Sequence, residues 1–373
     1  MKTFKRLAAT FAAAALLVSC FAGCGQNGGS GEYLIGCTGP LTGDASSYGI
    51  SVKNGAQLAV DEINAAGGLN GATFKFDMKD DKATAEDAAT GYDALMDAGM
   101  QIAIGSVTSG SCESFAAKSV EDNLFFITPS ASASNVIENR PNAFRVCFGD
   151  PDQGTLAAEE LASKYSKIGA IYDTSDAYSS GIFTAFEEEM KKLGKDFATQ
   201  SFDAENKKDF STQAEALKDC DVVFLPIYYT EAGLIAKAFS AKGSTALLFG
   251  CDGLDGVADQ IDETVKNEIK YITPFDVNST NEVTAKFVKN YQAKYNALPD
   301  QFAADGYDAV YAIYEAMKAA KVNDTSIGAS ELCDAVVSAI TDPSFKLNGA
   351  TGEMTWDASG ACTKVPQIVD LKK

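Results

Sequence analysis

Histidine is absent from this chain of 373 residues. Without an imidazole, a serine or cysteine triad has no usual base and most catalytic zinc sites lose a ligand, so much of enzyme chemistry is closed to it. Basic residues are scarce too. The 31 Lys and Arg face 51 Asp and Glu, a formal charge of −20 that repels a phosphate backbone, so no nucleic acid partner is expected. The nine cysteines are too few for a disulfide scaffold in a chain of this length. Apart from Cys20 and Cys24, they stand at Cys37, Cys112, Cys147, Cys220, Cys251, Cys333 and Cys362, with no C-x-x-C pair. They read as small buried apolar residues, and neither a metal nor another cofactor is expected. What the chain does hold is a globular composition, 46% hydrophobic and 22% charged, long enough for two ordinary domains.

The first residues read as a processing signal. Lys2, Lys5 and Arg6 precede an Ala/Leu-rich run from Leu7 to Val18 that is too short for a permanent membrane helix. The run ends in Leu17-Val18-Ser19-Cys20-Phe21-Ala22-Gly23-Cys24-Gly25, which resembles the box at which bacterial lipoproteins are cut and lipidated. Cys24 is the favoured lipidation site, because Ala22-Gly23 are small and Gly25 to Gly31 make a flexible tether; Cys20 is the alternative. The expected division is therefore a signal peptide over 1–23 and a lipidated cysteine with its tether over 24–31. This places the protein outside the cytoplasm, anchored to the outer face of the cell membrane. An ordinary cleaved signal is the competing reading.

Beyond the tether, strands and helices alternate. Tyr33-Leu34-Ile35 is apolar, then Val52, Ala56, Ala59, Val60 and Ile63 recur at helical spacing until Gly67-Gly68. The pattern repeats through Phe74–Met78, Ala85–Leu95, Ile102–Ile104, Cys112–Val120 and Leu124–Thr128, which predicts a parallel sheet. It resumes with a strand over Ile168–Tyr172, a helix carrying Ile182, Phe183, Phe186 and Met190, and strands at Val222–Ile227 and Leu247–Phe249, a second sheet. The fold class is α/β, with two doubly wound parallel-sheet lobes. Near the C-terminus, Gly352–Asp357 and Ile368–Leu371 read as two strands around a turn at Ala358-Ser359-Gly360.

Doubly wound sheets bind ligands outside the carboxyl ends of their strands. The loop after Ile104 runs Gly105-Ser106-Val107-Thr108-Ser109-Gly110-Ser111, and the loop after Thr128 runs Pro129-Ser130-Ala131-Ser132-Ala133-Ser134. One serine-rich loop is better read as helix capping. Two on adjacent strands point to a shared anion site such as a carboxylate would use. The second sheet offers Tyr228-Tyr229-Thr230-Glu231 and Gly250-Cys251-Asp252-Gly253, aromatic surface and an acid for an ammonium, although Asp252 also fits a plain Asp-Gly turn.

Gly39-Pro40-Leu41-Thr42-Gly43, Tyr48-Gly49, Asn54-Gly55-Ala56, Ala59 to Gly71, Asp80-Asp81, Phe144-Arg145, Asp152-Gln153-Gly154, Lys208-Asp209-Phe210 and Tyr307-Asp308-Ala309 occur in an order that resembles the leucine/isoleucine/valine-binding proteins of bacterial ABC importers. The resemblance covers essentially all of the chain after the tether. It implies a type I periplasmic binding protein fold, in which two lobes joined by three crossovers close on an amino acid and present it to a permease with its ATPase subunit. The implied lobes are 32–146 with 275–341, and 147–274 with 342–373. It also implies that Ser109 binds the ligand carboxylate, that Ser130, Ala131 and Ser132 meet carboxylate and ammonium, and that Asp252 pairs with the ammonium. Tyr48, Tyr178, Tyr228 and Phe302 fall at positions that enclose the ligand or line the cleft, with core packing as the alternative for each. Two departures bear on the cargo. Ser130 stands where the family usually has Ala, and Asp252 where it usually has Glu, so amides, urea or aromatic acids remain open beside branched-chain amino acids. An enzyme is disfavoured by the missing His. A sensory ectodomain would call for a transmembrane helix or signalling domain, and none follows Lys373 in this sequence.

Overall fold

A computed structural model describes residues 31–371; the processing signal and both candidate lipidation cysteines lie outside the described residues. In chain order the first elements are β1 (Glu32–Gly39), α1 (Ser46–Ala65), β2 (Thr73–Asp80), α2 (Ala85–Asp97), β3 (Ile102–Ser106), α3 (Ser109–Glu121), β4 (Phe126–Thr128) and β5 (Ala143–Arg145). Their strands form one five-stranded sheet in the order β2-β1-β3-β4-β5, every pairing parallel. β3 and β4 are buried residue by residue, as strands covered by helices on both faces must be, whereas β2 at the edge alternates buried and exposed positions. α1 stops where the sequence predicts: Gly67 and Gly68 take positive φ, and the Gly68 amide donates back to Ile63 O at 2.9 Å.

The chain then crosses to a second unit: α4 (Asp150–Lys164), β6 (Ile168–Asp173), α5 (Ala177–Lys192), β7 (Ala198–Phe202), α6 (Ser211–Leu217), β8 (Val222–Leu225), α7 (Tyr229–Ala241), β9 (Leu247–Gly250) and β10 (Ile269–Thr273). It returns through α8 (Glu282–Tyr295), α9 (Gln301–Ala319) and α10 (Ala329–Ile340), followed by β11 (Leu347–Gly349), β12 (Gly352–Met354) and β13 (Gln367–Asp370). The second sheet has six strands in the order β13-β10-β9-β8-β6-β7, parallel except for β13. Two lobes and three crossings of the chain between them result. The first and third crossings run side by side: the Arg145 amide donates to Gly360 O at 3.0 Å and Trp356 Nε1 to Arg145 O at 2.7 Å.

The C-terminal hairpin expected around Ala358-Ser359-Gly360 is not what forms. β12 pairs with β11, and β13 pairs antiparallel with β10; the turn at 358–360 is closed instead by the bridge of Trp356 to Cys362 and by the Thr363 amide, which donates to Thr355 O at 3.0 Å. The division that gave 342–373 to the second lobe also needs correction. The β11–β12 hairpin packs on α8 and α9, where Asp308 accepts from the amides of Ala350 and Thr351, and only β13 completes the second sheet. The apolar pattern is too short there to show its partner, and a buried acid on another helix decides it.

α1 and α9 meet almost backbone to backbone. A Cβ on Gly55 would lie 1.8 Å from Ala303 O, and one on Gly306 would lie 2.6 Å from Val52 O, so only glycine lets these helices approach. That approach brings Tyr48 near the start of α1 against Phe302 near the start of α9, with ring centroids 4.2 Å apart. All seven cysteines of the described region are unpaired, five of them buried, as expected of small apolar residues.

Candidate functional site

The site lies between the lobes. α3 begins three residues earlier than its apolar pattern suggests, so Ser109 sits in its first turn, with Thr108 as the capping residue. The loop after β4 lies alongside: the Ser130 hydroxyl donates to Val107 O at 2.7 Å, and Ser109 Oγ accepts from the Ala133 amide at 3.2 Å. Opposite, Tyr178 comes from the first turn of α5, held by the Asp176 cap that accepts from the Ser179 amide at 2.9 Å. Tyr228 caps α7, and its ring stacks on Tyr178 at 4.9 Å. Asp252 follows β9 and is 5% exposed.

These residues converge. Tyr48, Val107, Thr108, Ser109, Ser130, Tyr178, Tyr228, Asp252, Gly253 and Phe302 enclose one cavity with space for about 10 Å³ of water-sized occupants, roughly one water molecule. Seven of the nine positions singled out from the sequence are brought together here; Ala131 and Ser132 are not on the wall. The Ala131 amide is tied to Thr128 Oγ1 at 3.0 Å, which turns the residue into the first lobe's apolar interior. Ser132 follows it inward, its carbonyl accepting from Arg145 and from the Asp150 amide, and its buried hydroxyl has no partner.

Tyr178 donates its hydroxyl to Asp252 Oδ1 at 2.7 Å and accepts from the Gly253 amide at 2.9 Å. The Asp252 amide donates to Gln153 Oε1 at 3.1 Å, and its carbonyl accepts from Gln301 Nε2 at 2.6 Å. Burial pushes the Asp252 carboxyl up to about 6, against the pull of the Tyr178 and Gln153 hydrogen bonds and of more distant Lys364. Lys364 itself forms a buried ion pair with Asp305, Nζ to Oδ1 2.6 Å, in which the two side chains are 1% and 4% exposed. Gly253 is required: a Cβ there would lie 2.7 Å from the Tyr178 hydroxyl and 2.8 Å from Ile227 O.

Polar bonds join the lobes around the cavity. Tyr48 donates to Gly253 O at 2.5 Å and accepts from the Tyr229 amide at 3.1 Å, while the Ser47 amide reaches the Tyr229 hydroxyl at 3.3 Å. At the rim, Lys207 Nζ lies 3.2 Å from Asp44 and 3.4 Å from Glu231, and Thr230 donates to Asp44 O at 2.9 Å. Sequence reasoning missed Thr108 on the wall, and Gln153 and Gln301, which hold the Asp252 backbone. Thr108 was hidden because the apolar pattern starts the helix only at Cys112; the others act from helix faces with no local signal. Among the described residues, no cluster of His, Cys, Asp or Glu is arranged to hold a metal.

Two doubly wound lobes, three crossings and a cavity walled by both lobes define a type I periplasmic binding protein. The chain belongs to the periplasmic binding protein family, whose profile matches residues 32–361. It is 27% identical over 342 residues to the Leu/Ile/Val-binding protein BraC3 of Rhizobium johnstonii, covering 89% of each chain. Among solved structures it is similar to the branched-chain amino acid transporter substrate-binding protein LivJ of Streptococcus pneumoniae in complex with isoleucine. That match has 28% identity and a TM-score of 0.81, covering 90% of this chain and 95% of the other. A solute-binding protein from Rhodopseudomonas palustris in complex with benzoate shares the fold at 20% identity and a TM-score of 0.81, over 92% and 94% of the two chains.

Proposed function

We propose that this protein is the extracytoplasmic solute-binding subunit of an ABC importer, held to the membrane by a lipid on Cys24. It captures an amino acid, branched-chain or otherwise apolar, by closure of its two lobes, and delivers it to a permease and its ATPase. The observation that carries this reading is the Tyr178–Asp252 pair, a buried acid facing a wall of hydroxyls and rings. A monoacid without an ammonium would leave that carboxylate uncompensated, whereas an α-amino acid supplies a cation for Asp252 and an anion for the start of α3. Tyr48, Phe302 and Tyr228 supply apolar surface for the side chain. The names of the relatives support the same cargo class.

The fold shared with the benzoate-bound protein makes an aromatic acid the competing cargo. A thermal-shift screen of the protein against amino acids, amides, polyamines and aromatic acids, followed by calorimetry on the hits, separates the two, because ligand binding to the folded state raises Tm by mass action. Apolar L-amino acids are expected to raise Tm; a rise with aromatic acids alone would overturn the cargo assignment.

A further inference from the structure

Gln301 is the first residue of α9, 1% exposed, and it does not stand on the cavity wall. The helix start does not need its side chain, because Asp300 caps α9 by accepting from the Ala303 amide at 2.8 Å. α9 packs on α1 in the first lobe, yet Gln301 reaches across to the second. Its backbone amide donates to Asp255 Oδ2 at 3.1 Å and its Nε2 to Asp252 O at 2.6 Å, while its Oε1 accepts from Thr273 Oγ1 at 3.0 Å.

The chain around Thr273 fixes which end of the Gln301 amide faces Asp252. Thr273 is the last residue of β10, where the second crossing leaves the second lobe, and its hydroxyl oxygen accepts from the Phe275 amide at 3.2 Å. The hydroxyl proton is thereby directed to Gln301 Oε1, which leaves Nε2 for the Asp252 carbonyl. On the other side of the same residue, the Asp252 amide donates to Gln153 Oε1 from the first turn of α4. Asp252 is thus held at both of its peptide groups by glutamines from different lobes. Because peptide groups are planar, fixing the two that flank a Cα fixes the direction of its Cβ. The carboxylate keeps only its own side-chain torsions, and the Tyr178 hydroxyl restrains those by donating to Oδ1.

We propose that Gln301 is a positioning residue for Asp252: through it the first lobe, without touching the cargo, sets where the carboxylate meets the ammonium, and so sets the preference for an amino acid over the same acid without its ammonium. This rests on the amino-acid reading above and adds a residue to it. Removing the Gln301 amide leaves the Asp252 carbonyl and the Thr273 hydroxyl without these partners and lets the Asp252 peptide turn. The start of α3 and the rings of Tyr48, Tyr228 and Phe302 make no hydrogen bond to Gln301, so the seats for the carboxylate and the apolar side chain stay in place.

Calorimetry with L-leucine and with isocaproate, the same skeleton without its ammonium, reads this directly. Gln301→Met keeps the length of the side chain and removes its donor and acceptor. It should weaken L-leucine about tenfold and isocaproate less than about twofold, so that the preference collapses. Thr273→Val keeps the Gln301 donor and removes the hydroxyl that orients it, and should lower the preference about threefold in the same direction. A fold that is merely loosened weakens both ligands alike. Affinities that stay at the parent's ratio in Gln301→Met, whether unchanged or lowered together, would overturn the proposal, and should that variant not fold, an unchanged ratio in Thr273→Val would do so. A parent protein that does not prefer L-leucine to isocaproate overturns the amino-acid reading itself, whereas a preference present in the parent and kept in the variants overturns only the role of Gln301.

Discussion

The two walls of the cavity are built on opposite plans. The first lobe presents uncharged groups, of which two serines are bonded within the lobe, Ser130 to Val107 O and Ser109 to the Ala133 amide. The second presents an acid whose carboxyl burial pushes up to about 6 and which Tyr178 bonds through its hydroxyl. Hydroxyls bonded within their own lobe hold their place whether or not a solute is present. A wall with a buried carboxylate is incomplete until a cation arrives, so it is the half that makes closure depend on the ligand.

If the walls differ in this way, substitutions on the second should cost most. Asp252→Ala leaves the ammonium unpaired and should weaken amino-acid binding by about 2 to 5 kcal/mol in calorimetry. Gly55→Ala drives a methyl into Ala303 O, separating α1 from α9 and Tyr48 from Phe302, and should lower stability by about 1 to 3 kcal/mol in denaturant unfolding.

pH separates the walls next. Asp252 rises from 3.8 to about 6 on folding, so between these values the folded state holds the extra proton, and its contribution to unliganded stability falls as pH rises through that window. Binding of an ammonium needs the ionised form, so affinity should rise about tenfold from about pH 5 to about pH 7, and should be flat in Asp252→Asn. On the first wall, Ser109→Ala removes one hydroxyl and should cost about 1 kcal/mol of binding. The smallest effect falls at the rim. Lys207→Ala should cost less than about 1 kcal/mol and should make ligand release less sensitive to salt, since both Lys207 and Asp44 are solvent-exposed in part.

Much of this was legible in the sequence. Buried parallel strands are continuous apolar runs, so β3, β4, β8 and β9 announce themselves, and with them the loops that carry Ser109, Ser130, Tyr228 and Asp252. Ala131 and Ser132 lie behind the wall because a serine-rich loop has no period to say which side chains turn inward, and the bond of the Ala131 amide to Thr128 Oγ1 turns this one. The last strand misled because its partner, β10, is far away in sequence and leaves no local trace.

The most direct test of the account is calorimetry with one apolar L-amino acid and the same compound without its ammonium, on the protein and on Asp252→Asn. The account predicts that the amino acid binds the protein at least about tenfold more tightly than its deaminated counterpart, and that Asp252→Asn removes this preference. Equal or tighter binding of the deaminated acid by the unaltered protein would contradict the claim that the second lobe's buried acid selects the cargo.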